Sequence, residues 1–350
     1  MLPRNPLPIA VESTHMYREA AEAAEVVRMQ TDTNHARALQ FGGQLRKLAP
    51  RAVVTCARGS SDHAATFAKY LIETRLGVLT SSASPSVSSV YGVKQDLHGC
   101  LFLAISQSGR SPDLVAAARA AKLAGATVLG MVNANDTPLS DVADFLLPLC
   151  AGPEQSVAAT KSYIASLAAI VHLVAAWTND ETLLDALRSA PDALARAWQL
   201  DWNAALPTLR DTRHLYVIGR GVGLGIAQEA ALKCKETSGL HAEAFSGAEV
   251  RHGPQALLTA NFPALLFTQN DETRLDMETL ARDLIARDVA VMIAGSLIAG
   301  ATVLPTIDAH PVIQPLLLAQ SFYKLSNALS VARGRDPDRP PHLQKITETR

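Results

Sequence analysis

The sequence has little cysteine and no cysteine pattern: Cys56, Cys100, Cys150 and Cys234 are scattered, with no CxxC spacing. That argues against a zinc site or a disulfide framework and fits a reducing compartment such as the cytoplasm. Charge excess is missing too. Thirty-two Lys and Arg stand against 33 Asp and Glu, a formal charge of -1 with a pI near 6.8. Nothing electrostatic therefore favours nucleic acid or an anionic membrane as partner, and a small molecule is the expected ligand. The opening MLPRNPLPIA holds three prolines and no apolar core of signal-peptide length. Residues 289–304 form an uncharged apolar stretch of 16, interrupted by Gly295, Ser296 and Gly300. It falls short of the roughly 20 residues of a spanning helix and reads as a strand, a turn and further buried chain. Nucleotide signatures are absent as well. There is no GxxxxGK[ST], and Gly219-Arg220-Gly221-Val222-Gly223-Leu224-Gly225 puts Leu224 where GxGxxG needs its last glycine. His241 and Glu243 make no HExxH pair, so neither a metal site nor a cofactor is expected.

What is present is a large apolar fraction, 48% of 350 residues, enough for a sizeable core and more chain than one compact domain usually takes. Residues 14–49 carry Ala, Glu, Arg, Leu and Gln with few breakers and predict one or two introductory helices. After Pro50, short apolar runs alternate with Ala-rich helical stretches: VVTCA (53–57), LFLAI (101–105), TVLGMV (127–132) and FLLPL (145–149). A polar, helix-rich bridge over 179–213 precedes a second set: LYVIG (215–219), ALLFTQ (264–269), VAVMIAG (289–295) and TVLPTI (302–307). Such alternation predicts strand-helix-strand units and a mostly parallel sheet in an α/β fold. Arg58-Gly59 recurs as Arg220-Gly221 and Ser106-Gln107 as Thr268-Gln269, both at an offset of 162. One offset for two strand ends points to a duplicated domain. The expected organisation is an N-terminal helical segment 1–48, a first domain 49–185, a second domain 205–335 and a C-terminal tail 336–350.

In parallel open sheets, ligands sit beyond the carboxyl ends of strands, where loops lead into helix N-termini with free N–H groups and partial positive charge. The run 101–105 ends in Ser106-Gln107-Ser108-Gly109, and VVTCA ends in Arg58-Gly59-Ser60-Ser61-Asp62. Hydroxyls and an amide can donate to phosphate oxygens, Gly109 permits close backbone approach, and Ser111 or Asp113 starts a helix with Pro112 in its first turn. One such loop is an ordinary helix cap; two at one sheet edge favour a phosphate enclosed from both sides.

These loops, with GPEQSVAATK (152–161), GRG (219–221), EAALKCKE (229–236), HAEAFSGAEVRHGP (241–254) and the closing PPHLQKITETR (340–350), carry a family resemblance. The chain resembles the sugar isomerase (SIS) domain family, in particular the two-domain isomerase half of glutamine:fructose-6-phosphate aminotransferase and the stand-alone aminosugar-phosphate deaminases. The resemblance implies two tandem SIS domains, each a mostly parallel sheet between helix layers. It implies that Ser60, Ser61, Ser106, Gln107, Ser108 and Ser111 hold a sugar phosphate, with a backbone contact from Val157. By the same resemblance Glu236 is the proton-transfer base, Lys233 its companion charge, His252 the ring-opening residue and Lys345 the amine near the sugar carbonyl. In that family the histidine reaches the site from a neighbouring subunit, which implies a homodimer with shared active sites. Two departures stand out: Arg58-Gly59-Ser60-Ser61 where the aminotransferases have Cys-Gly-Thr-Ser, and Ala159 where a hydroxyl residue is usual.

Independent of resemblance, Glu229, Lys233 and Glu236 fall at i, i+4 and i+7 on one helical face. Spacing alone favours a solvated salt-bridge row. The chemistry implied by the family favours a single carboxylate reaching two adjacent carbons, kept ionised by the lysine. His252 lies in the loop sequence Arg251-His252-Gly253-Pro254, and histidine is the side-chain type that most readily gives and takes protons in ring opening. Lys345 lies in a tail with Pro340 and Pro341, either solvated or folded over the sugar as a lid. The expected activity is deamination and isomerisation of glucosamine 6-phosphate to fructose 6-phosphate and ammonia. Only about 50 residues precede the first strand, too few for the glutaminase domain of an aminotransferase. Alternatives are a galactosamine-6-phosphate deaminase, a 6-phosphofructosyl-amine deglycase, or a sugar-phosphate-sensing SIS regulator without turnover.

Overall fold

A computed structural model describes residues 9–134 and 136–345. Residues 1–8 of the N-terminal segment and 346–350 of the closing motif lie outside that description. Helix α1 (His15–Ala21) and the long α2 (Ala23–Leu48) introduce the chain. The first α/β unit follows as β1 (Ala52–Cys56), α3 (Ser60–Leu76), β2 (Thr80–Ser82), α4 (Ser86–Ser89), β3 (Cys100–Ser106), α5 (Pro112–Leu123), β4 (Thr127–Val132), α6 (Pro138–Val142), β5 (Phe145–Pro148) and α7 (Lys161–Thr178). Helices α8 (Glu181–Gln199) and α9 (Leu206–Asp211) form the bridge. The second unit runs β6 (His214–Gly219), α10 (Leu224–Ser238), β7 (His241–Ser246), β8 (Ala264–Phe267), α11 (Arg274–Ile285), β9 (Val291–Ala294), β10 (Thr302–Leu304) and α12 (Gln314–Ala332).

Every strand pairing is parallel. The first sheet is ordered β2-β1-β3-β4-β5 and the second β7-β6-β8-β9-β10, the same order taken along the chain. The offset of 162 therefore reflects a repeated architecture: Arg58-Gly59 and Arg220-Gly221 follow the first strands of the two units, and Ser106-Gln107 and Thr268-Gln269 lie at the carboxyl ends of the third. Strand β3 is buried at all seven positions, as a strand covered by helices on both faces must be. Sequence periodicity misses the edge strands β2 and β7. Thr80-Ser81-Ser82 is too short and polar, and His241–Ser246 is mostly solvent-facing or half-buried, so neither shows an apolar run.

Residues 289–304 form β9, a turn and β10, as expected. A longer uncharged run, 162–178, corrects the sequence reading: it is part of α7, which by length and composition alone could cross a membrane. Here 94% of that window is buried inside the fold. Gly42 of α2 lets the two backbones touch, because a Cβ there would collide with the carbonyl of Ala176. The core cluster runs continuously from Met16 and Leu45 through α7 to Phe322 of α12.

His172 of α7 is 2% exposed and stacks on His35 of α2, 5.7 Å between centroids. Burial, then the neighbouring His35 and Arg188, lower its pKa to about 4. The folded state thus favours neutral imidazole. The sign follows: this contribution to stability is complete above the unfolded value near 6.5 and is lost as pH falls toward 4, by about 3 kcal/mol. Denaturant titrations from pH 7 to 4.5 should show that loss, and His172→Gln should flatten it.

Candidate active site

The order of the first sheet reverses direction between β1 and β3, which opens a crevice at their carboxyl ends. Two loops enter it. Gly59, at φ 55°, turns the chain from β1 into α3, so that Ser60 and Ser61 stand in the first turn. After β3, Gly109 adopts φ 64°, and a Cβ there would collide with Thr137 Oγ1. The SQSG loop braces itself: Ser106 Oγ accepts from Gly109 N at 3.0 Å, and Ser108 Oγ accepts from Arg110 N at 3.3 Å. Ser111 is the N-cap residue of α5 and Pro112 its N1, but the Ser111 side chain makes no capping bond and stays available. In the first turn of α5, Asp113 Oδ1 accepts from Leu114 N at 2.8 Å. The residue is buried, and its Oδ2 accepts from Arg58 Nε at 3.1 Å and Nη2 at 2.8 Å.

A cavity of about 350 Å³ occupies the crevice. Ser60, Ser61, Ser106, Gln107, Ser108 and Ser111 line it, and so do Val157, Glu236 and Lys345. Nine of the eleven residues singled out from the sequence thus meet in one space. Lys233 lies directly behind, its Nζ 3.1 Å from Ser60 Oγ. His252 is the exception: it is exposed at the end of the short turn Glu249–His252 and is not among the lining residues.

Helix α10 packs against α3 of the first unit, and Gly225 allows the close approach, since a Cβ there would sit 2.6 Å from His63 O. Tyr163 Oη donates to Gly225 O at 3.1 Å across the same seam. The face of α10 turned inward carries Glu229, Lys233 and Glu236. Lys233 is fully buried, 3.4 Å from Glu229 Oε1 and ion-paired with Glu236 Oε2. The solvated salt-bridge row is therefore overturned. Buried charges persist only when paired, and these are. Burial pushes the Glu229 carboxyl up, but the Lys233 charge and bonds from His63 and Tyr323 outweigh it and hold the group below its ordinary value. Burial alone would lower the Lys233 pKa; Glu229 and Glu236 together raise it instead. His63 Nδ1 lies 3.0 Å from Glu229 Oε2, and Tyr323 Oη donates to Oε1 at 3.0 Å.

The loop over 152–160 and the tail form the third wall. Lys345 Nζ donates to Ser156 O at 2.6 Å and lies 3.1 Å from Glu154 Oε2. Glu154 also accepts from Thr160 N (2.9 Å), Ser162 N (3.2 Å) and Ser162 Oγ (2.7 Å). Burial raises this carboxyl, yet Lys345 and those donors together leave it below its ordinary value. Glu19 of α1 accepts from the N–H groups of Gln155 and Ser156, fixing the same loop. Sequence reasoning missed Glu19, His63 and Glu154 as site supports. Glu154 stood inside a quoted motif, whereas Glu19 gives no local signal because its partners are more than 130 residues away.

The SIS domain model matches residues 49–176 and 208–295. The chain belongs to the SIS domain family. It is 34% identical over 307 residues to glutamine--fructose-6-phosphate aminotransferase [isomerizing] of Aeropyrum pernix, covering 82% of this chain and 49% of that one. It spans about half the length of the curated relatives it matches. Among solved structures, a candidate phosphosugar isomerase from Silicibacter pomeroyi DSS-3 superposes with a TM-score of 0.89 at 39% identity, covering 93% of this chain and all of that one. The C-terminal domain of glucosamine-fructose-6-phosphate aminotransferase from Francisella tularensis gives 0.85 at 26% identity, covering 94% and 98%.

The two SIS units differ at their crevices. In the second, Gln269 Nε2 donates to Arg220 O at 2.8 Å and to Asp271 Oδ2 at 2.9 Å, and Arg220 pairs with Asp276. The first unit has the matching Arg58–Asp113 pair, so the difference lies at the glutamines: Gln269 is bonded within its own crevice, whereas Gln107 lines the open cavity.

Proposed function

We propose that the protein is an isomerising aminosugar-phosphate deaminase, converting glucosamine 6-phosphate and water to fructose 6-phosphate and ammonia. The observation that carries this reading is that Glu236, tethered by Lys233, lines the same cavity as two serine-rich loops at helix N-termini. The loops suit a phosphate ester: hydroxyls, an amide and free backbone N–H groups converge there. With the phosphate so anchored, the Glu236 carboxylate faces the other end of an opened hexose. It takes the proton from C2 while O1 of the opened aldehyde takes a proton from solvent, giving an enolamine, and it returns its proton to C1, leaving a hydroxymethyl at C1 and an iminium at C2. Water adds to that carbon and ammonia departs. One carboxylate suffices because the proton leaves and re-enters adjacent carbons on one face. The Lys345 ammonium, oriented by Glu154, stabilises negative charge developing on the sugar oxygen.

His252 is assigned to ring opening in the site of a neighbouring subunit, in keeping with its exposure outside the cavity of its own chain. Incubation of the purified protein with glucosamine 6-phosphate should release ammonia and fructose 6-phosphate in equal amounts. No ammonia at any pH near neutral would refute the assignment. Galactosamine 6-phosphate and a 6-phosphofructosyl amine in the same assay rank the alternative substrates.

A further inference from the structure

The serine loops contribute dipoles but no full charge, so a dianionic ester also needs a cation. Of the described residues lining the cavity, two are cationic, Arg58 and Lys345. Two of the three Lys345 N–H groups go to Glu154 and the Ser156 carbonyl, and the third is assigned above to the sugar oxygen. Arg58 is different. It stands one residue before Gly59, on the loop that begins α3, and its side chain is 52% exposed. Nε and Nη2 both engage one oxygen of Asp113, while Nη1 has no hydrogen bond to a described residue. Asp113 is 3% exposed and belongs to the first turn of α5, the helix whose N-terminus faces the cavity beside Ser111. Without Arg58, this buried carboxylate would keep the Leu114 N–H bond on Oδ1 but lose its only charged partner among the described residues, and its negative charge would oppose an incoming anion.

We propose that Arg58 is a specificity-determining residue that neutralises Asp113 and offers its remaining guanidinium donors to a phosphate dianion, so that the cavity selects phosphorylated over free sugars. This rests on the reading above that a phosphosugar occupies the cavity. Arg58 acts on binding: the carboxylate over the reacting carbons belongs to α10, and Arg58 to the loop between β1 and α3.

Calorimetric titration of inorganic phosphate, at fixed ionic strength, tests it on the full chain and on R58A, R58K, D113N and R58A/D113N. Loss of one charge-assisted contact predicts R58A binding weaker by about 10- to 100-fold, with R58K intermediate because a lysine keeps the charge and loses the fork. The double variant should bind phosphate more tightly than R58A, since the bare carboxylate is gone. In turnover assays the R58A loss should fall chiefly on KM. Wild-type affinity in R58A, or no recovery in the double variant, overturns the role of Arg58. Phosphate binding by the wild type without ammonia release refutes the deaminase assignment and leaves Arg58 standing. No phosphate binding by the wild type overturns both.

Discussion

Glu236→Gln should reduce turnover of glucosamine 6-phosphate by about 10²- to 10⁴-fold, the range expected when a positioned general base is removed. Gln keeps the size and one acceptor of Glu236 but cannot take the C2 proton. The fold should survive, because Lys233 retains its ion pair with the buried Glu229 at 3.4 Å. Phosphosugar binding should change little, since the phosphate loops lie on α3 and α5 and Glu236 on α10. Parallel measurement of kcat by ammonia release and of affinity by calorimetry separates the two. Equal loss of turnover and binding would make Glu236 a structural carboxylate.

Lys233→Met should have the largest effect on stability, a loss of about 3–5 kcal/mol, because it leaves a buried charge without its partner. Lys233 is 0% exposed and Glu229 1%, so water cannot compensate. Methionine fills a similar volume, which limits the cavity contribution. The stranded group is Glu229, so adding Glu229→Gln should recover much of the stability while activity stays low, with Glu236 still lacking its cation. Denaturant midpoints of the two variants and the wild type give the comparison. A Lys233→Met protein as stable as the wild type would mean that the buried triad contributes nothing to holding the two units together.

The fold was legible where burial on both faces leaves an apolar run. LFLAI and TVLGMV became β3 and β4, and the recurrence of Arg-Gly and of Ser-Gln or Thr-Gln at 162 marked corresponding strand ends of two sheets with one strand order. Strands β2 and β7 were not legible, because an edge strand has a polar face and its hydrogen bonds leave no trace in composition. Helix α7 was under-read: its uncharged run exceeds that of 289–304, and only its packing against α2, α3 and α8 shows a core helix.

At the site, serines next to glycine after a strand were readable because the chemistry of a helix N-terminus is local. The spacing of Glu229, Lys233 and Glu236 gave the correct shared face and the wrong environment. A helical wheel does not reveal that α3 and Tyr323 cover that face. Glu19 and Glu154, which hold the wall carrying Val157 and Lys345, depend on contacts between distant segments.

The most direct test is a crystal structure with a hexosamine 6-phosphate or an open-chain analogue bound. Its phosphate should rest on the 106–111 loop and the first turn of α3, with a Glu236 oxygen within about 3.5 Å of both C1 and C2, the reach a proton-transfer base needs. A ligand bound with its phosphate elsewhere, or with the Glu236 carboxylate turned away from both carbons, would contradict it.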